Sequence, residues 1–323
     1  MSGRLTPRLV RSIHEVYDIK ETLGTGGFSV VKLGIHKQTG KGFAVKIMKI
    51  PDGPKAEKER GHILKEIALL QTMDHKSVIK LYEVYDEGQK VYLVTELLTG
   101  GELLDALLEC GQYSEHDAKV VFRQLIEGLQ YLHSFDIVHR DLKLENLLLS
   151  KKGDMTTVKI ADFGLAKRAT EGQQFSTVCG SPLYVAPEVI QSKRKEAYSN
   201  AVDYWSAGVV LYILLAGYPP FDDDNEQLLF QKIRNGQYDF DDEGWKNVSE
   251  NAKDLIRGLL EVDHNKRLTA AKILSHPWMS EQLTNKRLNL HSQLRASSSK
   301  LLGSSKPPSA AMAGIQITTA ERN

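Results

Sequence analysis

Cysteine is scarce in this sequence, and neither sign of charge is in excess. The 323 residues contain two cysteines, Cys110 and Cys179, which form neither a disulfide framework nor a zinc-binding pattern and fit a reducing compartment. The 42 Lys and Arg against 41 Asp and Glu give a formal net charge of +1, which argues against a polyanion binder. We therefore expect a cytoplasmic protein, with the nucleus as a second location, and no nucleic acid among its partners.

Long hydrophobic runs are also missing. The most apolar stretch, WSAGVVLYILLAG from Trp205 to Gly217, is shorter than the roughly 20 residues that span a bilayer, so we predict a buried core helix and no membrane span. The N-terminal MSGRLTPRLVRS carries three Arg but lacks the apolar core of a secretory signal. A mitochondrial presequence is the alternative interpretation of that stretch.

Periodicity divides the chain into a strand-rich part and a helix-rich part. Four segments between 17 and 95, YDIKETLG, SVVKLGI, GFAVKIM and VYLVTEL, predict strands, and one helix is predicted from Lys55 to Met73. We expect a small β-lobe (17–95), a hinge (96–100) and a helical lobe (101–279) in which apolar residues recur at helical spacing. From 280 to 323 a basic stretch rich in Ser, Ala, Gly and Pro predicts a largely disordered tail.

Two motifs in the strand-rich part carry groups suited to phosphate binding. LGTGGFSVV (23–31) lies between predicted strands, where Gly24 and Gly26 let backbone N–H groups approach phosphate oxygens; a plain hairpin is the alternative. FAVKIM places Lys46 in a buried-looking strand, which calls for an anionic partner such as Glu66 or a ligand phosphate. The alternative is an edge strand with Lys46 pointing to water.

Two further motifs place charged groups beside apolar strands. In HRDLKLENLLL (139–149), Asp141, Lys143 and Asn146 precede three leucines, and charges at the edge of a buried strand are costly unless something compensates them. ADFGLAK ends another predicted strand with Asp162. Alone, Asp-Phe-Gly is equally well explained by a turn.

Taken in order, these motifs resemble the catalytic core of eukaryotic-type protein kinases. The Gly-rich loop, Ala-Val-Lys, a helical Glu, His-Arg-Asp with a downstream Asn, Asp-Phe-Gly and the Ala-Pro-Glu of CGSPLYVAPE follow one another between about Tyr17 and Met279. The resemblance implies an α+β fold of two lobes, a small antiparallel β-lobe with one main helix and a larger α-helical lobe. It also implies transfer of the γ-phosphoryl group of ATP to a protein hydroxyl.

The resemblance assigns a role to each charged residue of the later motifs. Asp141 would orient the substrate hydroxyl and accept its proton. Lys143 would neutralise the transferring phosphoryl group, and a Lys here indicates Ser or Thr rather than Tyr as the acceptor. Asn146 and Asp162 would hold two Mg²⁺ ions, for which Mn²⁺ is a substitute.

The nucleotide would lie between the lobes. Lys46 would hold the α- and β-phosphates and be fixed by Glu66. Leu148 would close the adenine pocket from below, and the third glycine of the Gly-rich pattern is Ser29 here, as in calcium/calmodulin-dependent kinases. Thr95 lies at the family's gatekeeper position. The expected ATP-binding residues are Leu23, Gly24, Thr25, Gly26, Gly27, Phe28, Ser29, Val30, Val31, Ala44, Lys46, Thr95, Glu96, Leu98, Glu102 and Leu148.

The resemblance also implies structural features of the core. Glu188 and Arg267 match the family's buried ion pair. A buried column that joins the lobes is expected from Leu70, Leu81, His139, Phe163 and Asp203.

Three segments, TGGELLD, GYPPFDDDNEQLLFQKI and YDFDDEGWKNVSENAKDLIRGLLEVDHNKRLTAAKILSHPWM, resemble the calcium/calmodulin-dependent kinase group in particular. AMP-activated and death-associated kinases are related alternatives. Glu102, together with Glu145, would contact an Arg three residues before the target Ser or Thr, whereas a solvated loop acid is the alternative for Glu102. Ser181 would form the platform beside the protein substrate.

The resemblance further suggests how activity is controlled. Thr177 matches the group's activating threonine, with Ser176 as its rival, and a phosphate added there by an upstream kinase would order the loop against Arg140. The tail carries six Lys and Arg and two Asp and Glu but no Trp or Phe, so calmodulin is a weakly supported partner. LRASSS places Arg295 three residues before Ser298, an autophosphorylation candidate.

Two other classes of protein remain as alternatives. A pseudokinase scaffold usually lacks Lys46, Asp141 or Asp162, and all three are present. A kinase of small molecules is the other, and the Ala-Pro-Glu motif with the platform around Ser181 argues for protein substrates instead.

Overall fold

The computed structural model describes residues 12–26, 29–51, 53, 56–164, 166–168, 182–191 and 199–280. Predictions for Gly27, Phe28, Thr177, Ser181 and Ser298, and for the tail after Ser280, lie outside the described residues.

A five-stranded antiparallel sheet forms the small lobe, with its strands in the spatial order β1-β2-β3-β5-β4. The four strands predicted from periodicity are confirmed. A fifth strand escaped prediction because only two of its six residues are buried, which hides the alternation of a strand. The elements in chain order are α1 (Ile13–Val16), β1 (Tyr17–Thr25), β2 (Ser29–His36), β3 (Gly42–Lys49), α2 (Ala56–Leu70), β4 (Leu81–Asp86) and β5 (Lys90–Thr95).

The two faces of this sheet pack against different neighbours. Val45 and Val94 lie on one face with Tyr17 in a small apolar cluster. Lys46 follows Val45 in the same strand, so its side chain leaves the opposite face, beside Leu93, its partner across β3 and β5. Leu93 belongs to the main core that extends into the larger lobe. Because successive side chains of β3 point to opposite faces of the sheet, Lys46 points toward the junction of the lobes.

Helices dominate the larger lobe, and α6 lies at its centre with nearly every side chain buried. The predicted core helix is confirmed; it begins at Ala201 and ends before Gly217, whose φ of 83° gives a left-handed cap. Among the described residues, no helix is long and apolar enough to cross a membrane. The elements are α3 (Leu103–Cys110), α4 (Glu115–His133), β6 (Ile137–Val138), β7 (Leu147–Leu149), β8 (Val158–Ile160), β9 (Lys167–Arg168), α5 (Pro187–Gln191), α6 (Ala201–Ala216), α7 (Glu226–Asn235), α8 (Glu250–Leu259), α9 (Ala270–Leu274) and α10 (Pro277–Ser280).

An ion pair ties the lower part of this lobe to α6. The Arg267 side chain is fully buried, and its Nη1 and Nη2 donate to the two carboxylate oxygens of Glu188 at 2.7 and 2.9 Å. Nη1 also donates to the main-chain oxygen of Ala201 at 2.8 Å, and Nε to that of Glu261 at 2.9 Å. These bonds compensate a buried guanidinium, as expected of a structural pair.

Backbone contacts join the lobes on both sides of the hinge. The Gly100 N–H donates to Leu149 O at 3.0 Å, and a Cβ at Gly100 would lie 2.5 Å from Leu149 Cβ, so only glycine permits this approach. On the other side, Ile79 N donates to Ile160 O at 2.9 Å, and Ile160 N donates to Ser77 O at 2.8 Å. The small lobe is thereby held over β7, which follows the charged residues of the His-Arg-Asp motif, and β8, which precedes the Asp-Phe-Gly motif.

Candidate active site

Lys46 contacts two carboxylates that are distant in the sequence. Its Nζ lies 2.7 Å from Glu66 Oε1 on α2 and 3.3 Å from Asp162 Oδ1 after β8. The side chain of Glu66 is 8% exposed, whereas that of Asp162 is 52% exposed. Glu66 is thus the buried anchor and Asp162 is open to solvent. The edge-strand alternative for Lys46 is wrong, because β3 pairs with a strand on each side.

The charges of this cluster determine its protonation. Burial lowers the pKa of Lys46, but the carboxylates of Glu66 and Asp162 more than offset this and raise it above the ordinary value. Burial would raise the pKa of Asp162, but the Lys46 ammonium lowers it below the usual range. Both groups are therefore ionised at neutral pH.

The loop between β6 and β7 brings two predicted groups, the Asn146 amide and the Lys143 ammonium, to the carboxylate of Asp141. The amide Nδ2 of Asn146 donates to the main-chain oxygen of Asp141 at 2.7 Å and to its Oδ2 at 3.1 Å. Lys143 Nζ lies 3.5 Å from the same Oδ2. A short 3₁₀ helix, Leu144–Asn146, then turns the chain into β7. The charge of Asp141 is thus compensated by residues of the same loop.

Asp203, at the start of α6, supports this loop from inside the large lobe. Its fully buried carboxylate accepts a hydrogen bond from His139 N through Oδ2 and from Arg140 N through Oδ1, each 2.9 Å long. Arg140 has φ of 70° and Asp162 has φ of 59°, a region that costs free energy for residues other than glycine. The hydrogen bonds that His139 N and Arg140 N donate to Asp203 hold Arg140 in this conformation.

His133 is a supporting residue that the sequence analysis missed. Its Nε2 lies 2.8 Å from Asp203 Oδ2, and its Nδ1 lies 2.9 Å from the Tyr204 hydroxyl. Burial would raise the pKa of Asp203, but hydrogen bonding to His133 lowers it below the ordinary value. One histidine at the end of an amphipathic helix carries no signal of this role in the sequence.

The predicted buried column is contiguous through part of its length. The rings of His139 and Phe163 meet edge-on with centroids 5.1 Å apart, and Asp203 holds the backbone of His139. Phe163, Leu70 and Leu81 are buried in the same core cluster, which spans both lobes. The Asp-Phe-Gly motif therefore packs its Phe into the core while its Asp stays at the surface of the cleft.

The predicted nucleotide residues lie where the two lobes face each other. Ala44 pairs with Thr95 across β3 and β5, and Val31 pairs with Lys46 across β2 and β3. Leu148 is half-buried although both of its neighbours in β7 are buried. Of the predicted set, Thr95 is buried, Thr25 and Gly26 are exposed, and the half-buried members are Leu23, Gly24, Ser29, Val30, Val31, Ala44, Lys46, Glu96, Leu98, Glu102 and Leu148.

The Gly-rich segment is a hairpin, yet its first glycine is not explained by packing. Gly24 pairs with Val31, and Gly26 N donates to Ser29 O at 2.7 Å. No described atom lies within 4 Å of the position that a Cβ of Gly24 would take. The antiparallel pairing that the hairpin alternative expects is therefore present, and no described atom blocks the approach to Gly24.

The predicted substrate acids reach the site from two different segments. Glu102 forms a β-bridge with Leu148 and precedes α3. Glu145 is half-buried in the 3₁₀ helix, next to Asn146. Glu102 thus contacts the site through Leu148 in space, and Glu145 adjoins it along the chain.

The oxygen donors of the site fit a divalent cation shared with a phosphate ligand. Asn146 directs its amide nitrogen to Asp141, which leaves the amide oxygen as an acceptor, and the ionised Asp162 is half exposed. Within the described ranges, no group of three or more His, Cys, Asp or Glu could hold a metal ion without further ligands. Mg²⁺ typically combines one or two protein oxygens with substrate phosphates and water, so this donor set suits it.

A small β-lobe over a helical lobe, with a lysine held by two carboxylates and a loop aspartate held by an asparagine, defines a protein kinase. The chain belongs to the protein kinase domain family, whose model matches residues 17–279.

Curated relatives support this assignment. The chain is 45% identical over 277 residues to calcium/calmodulin-dependent protein kinase type 1 of Caenorhabditis briggsae, covering 85% of this chain and 76% of that protein. It is 43% identical over 274 residues to myosin light chain kinase A of Dictyostelium discoideum, covering 84% and 91%. It is 41% identical over 264 residues to the probable serine/threonine-protein kinase fhkC of the same organism, covering 82% of this chain but only 44% of that protein. The chain is thus a kinase of the serine/threonine class.

Proposed function

We propose that this protein transfers the γ-phosphoryl group of ATP to Ser or Thr hydroxyls of protein substrates that carry an Arg three residues before the target. The convergence of Lys46, Glu66 and Asp162 within hydrogen-bonding distance supports the ATP-dependent transfer most directly. Glu102 and Glu145 are the acids proposed to bind the Arg of the substrate. A pseudokinase scaffold would not need this ionised cluster beside an intact Asp141 and Asn146.

Each charged side chain has a part in the proposed reaction. The hydroxyl oxygen of the substrate bonds to the γ-phosphorus as the bond to ADP breaks, and the hydroxyl proton passes to the Asp141 carboxylate. Lys143, 3.5 Å from that carboxylate, is close enough to balance charge on the transferring group. Lys46 orients the α- and β-phosphates. When bound, Mg²⁺ at Asn146 and Asp162 would supply charge neutralisation of the phosphates, and Mn²⁺ is a substitute.

Control of activity is part of the proposal. Phosphorylation of Thr177 by an upstream kinase would activate the enzyme, because the added phosphate would bind Arg140 and order the loop. Two relatives are calcium/calmodulin-dependent by name, which favours calmodulin as a regulator, while the tail lacks Trp and Phe anchors. An AMP-activated-type kinase without calmodulin control is the second candidate, and it is favoured by this tail composition.

A radiolabelled phosphotransfer assay on a Ser/Thr peptide library, with and without calcium-loaded calmodulin, tests the proposal. We expect incorporation into peptides with Arg three residues before the target. Asp141→Asn should abolish turnover and retain binding of a fluorescent ATP analogue, because it removes the proton acceptor and leaves the phosphate contacts. No incorporation by folded wild type in Mg-ATP would overturn the enzymatic function, and indifference to calmodulin would favour the second candidate.

A further inference from the structure

The carboxylate of Glu96 joins three segments behind the nucleotide pocket. Its Oε1 accepts a hydrogen bond from the main-chain N–H of Lys80 at 2.9 Å and lies 2.9 Å from Lys159 Nζ. The Glu96 N–H donates in return to Lys80 O at 3.1 Å. Glu96 is the first hinge residue, Lys80 precedes β4 in the small lobe, and Lys159 lies in β8 of the large lobe. One oxygen thus links both lobes to the hinge.

The pair of Glu96 and Lys159 is shielded from solvent. Their side chains are 21% and 16% exposed, in contrast to most ion pairs of this protein, which have at least one well exposed partner. The ammonium of Lys80 binds Asp74 at 2.8 Å, whereas that of Lys159 contacts the Glu96 carboxylate directly. A partly buried pair is screened little by salt, and loss of either partner would leave an uncompensated charge.

Both partners are adjacent to the adenine pocket. Lys159 pairs with Leu148 across β7 and β8, and Leu148 is the predicted floor of the pocket. The carbonyl of Glu96 accepts the Thr95 hydroxyl at 3.3 Å, and Thr95 pairs with Ala44. The ion pair therefore constrains the backbone that would present hydrogen-bonding groups to adenine.

The ion pair is compatible with the catalytically arranged state. The same structure contains the contact between Lys46 and Glu66 at 2.7 Å, which holds α2 against the sheet. The contact between Glu96 and Lys159 and the contact between Lys46 and Glu66 are thus present together.

We propose that Lys159 is a nucleotide-positioning residue: through Glu96 it holds the hinge backbone in the geometry that receives adenine. This inference rests on the proposed ATP-dependent function. It predicts a specific effect on nucleotide binding, because a less constrained hinge must be ordered when ATP binds.

The test compares Lys159→Met with a matched control, Lys76→Met. Lys76 also links the lobes, since its Nζ lies 2.8 Å from Glu127 Oε2 on α4, but it does not contact the hinge residue. Lys159→Met should raise KM for ATP and Kd for a fluorescent ATP analogue about fivefold, as for a coupling of ordinary strength. The kcat and the KM for peptide should stay within about twofold of wild type. Lys159→Arg should restore nucleotide affinity, and Lys76→Met should not change it.

Several outcomes would overturn the inference. An unchanged Kd for the analogue in a folded Lys159→Met protein is one, and an equal rise in Lys76→Met is another, because it would indicate general loss of lobe contacts. If Lys159→Met does not fold, Glu96→Gln tests the inference instead. This variant keeps an oxygen that accepts from Lys80 N–H but weakens the attraction to Lys159. It should also raise the Kd for the ATP analogue. A failure of the proposed function can be told apart from a failure of this inference, because in that case the wild-type protein would show no phosphotransfer.

Discussion

Replacing Glu66 with Gln tests whether charge holds Lys46 in its working position. Gln retains an oxygen that can accept the Lys46 ammonium, so the variant removes the charge with little change of shape. Asp162, 3.3 Å from the same nitrogen, remains as the second partner. The variant therefore isolates the contribution of one buried carboxylate.

The structure sets the size of the expected effect. Two unit charges 4 Å apart attract by about 4 kcal/mol at an effective dielectric constant of about 20. Part of this attraction offsets the burial of Glu66, which is 8% exposed, and part is replaced by Asp162. We take about half, about 2 kcal/mol, which corresponds to a roughly thirtyfold loss of kcat/KM.

The assay is steady-state phosphotransfer with varied ATP at saturating peptide, together with thermal unfolding of each variant. Glu57→Gln is the matched control, because Glu57 is an exposed acid on the same helix. It should retain the wild-type rate. A folded Glu66→Gln enzyme with unchanged kcat/KM would refute the reasoning and show that the charge of Glu66 is not needed to place Lys46.

Three further outcomes follow from other contacts. Arg267→Ala should lower the free energy of unfolding by about 3–5 kcal/mol in denaturant titrations, because it removes a fully buried side chain and leaves the partly buried Glu188 carboxylate without its partner. A loss below about 1 kcal/mol would contradict this. Gly100→Ala should raise KM for ATP, because a Cβ would meet β7 at 2.5 Å and displace the hinge, whereas Gly61→Ala, with no atom within 4 Å, should not. Because the pKa of Asp162 is lowered in the folded state, its ionisation stabilises the fold above about pH 4, and this stabilisation is lost in more acidic solution. Because the pKa of Lys46 is raised, its charge stabilises the fold below about pH 10, and this stabilisation is lost in more alkaline solution. Their joint contribution to unfolding free energy should therefore be flat from about pH 5 to 9, and a step near pH 7 in circular-dichroism melts, absent from a variant lacking both groups, would count against it.

Periodicity and motifs predicted much of the architecture. The central helix of the large lobe was expected from an unbroken apolar run, and α4 buries the stripe that the sequence shows, including Ala118 and Leu132. The short strand β4 was missed because only two of its residues are buried, and the helix α1 because four residues carry too little periodic signal. Thr177 and Ser181 stay predictions.

The supporting residues were harder to predict than the charged motif residues. Lys46, Asp141 and Asp162 stand out because each is a charge beside an apolar strand. His133 and Lys159 occur in ordinary surroundings in the sequence, and their partners, Asp203 and Glu96, lie 70 and 63 positions away along the chain. Their roles depend on distances that only folding creates.

The sequence by itself determined which chemical groups this protein has and the order in which they occur, because local alternation and glycine placement are properties of neighbouring residues. Tertiary structure alone decided that Glu66 and Asp162 meet on Lys46, that a buried Asp203 holds Arg140 in a costly backbone conformation, and that Glu96 links the lobes. Such contacts depend on how the sheet packs over the helical lobe, and packing is a property of the whole chain.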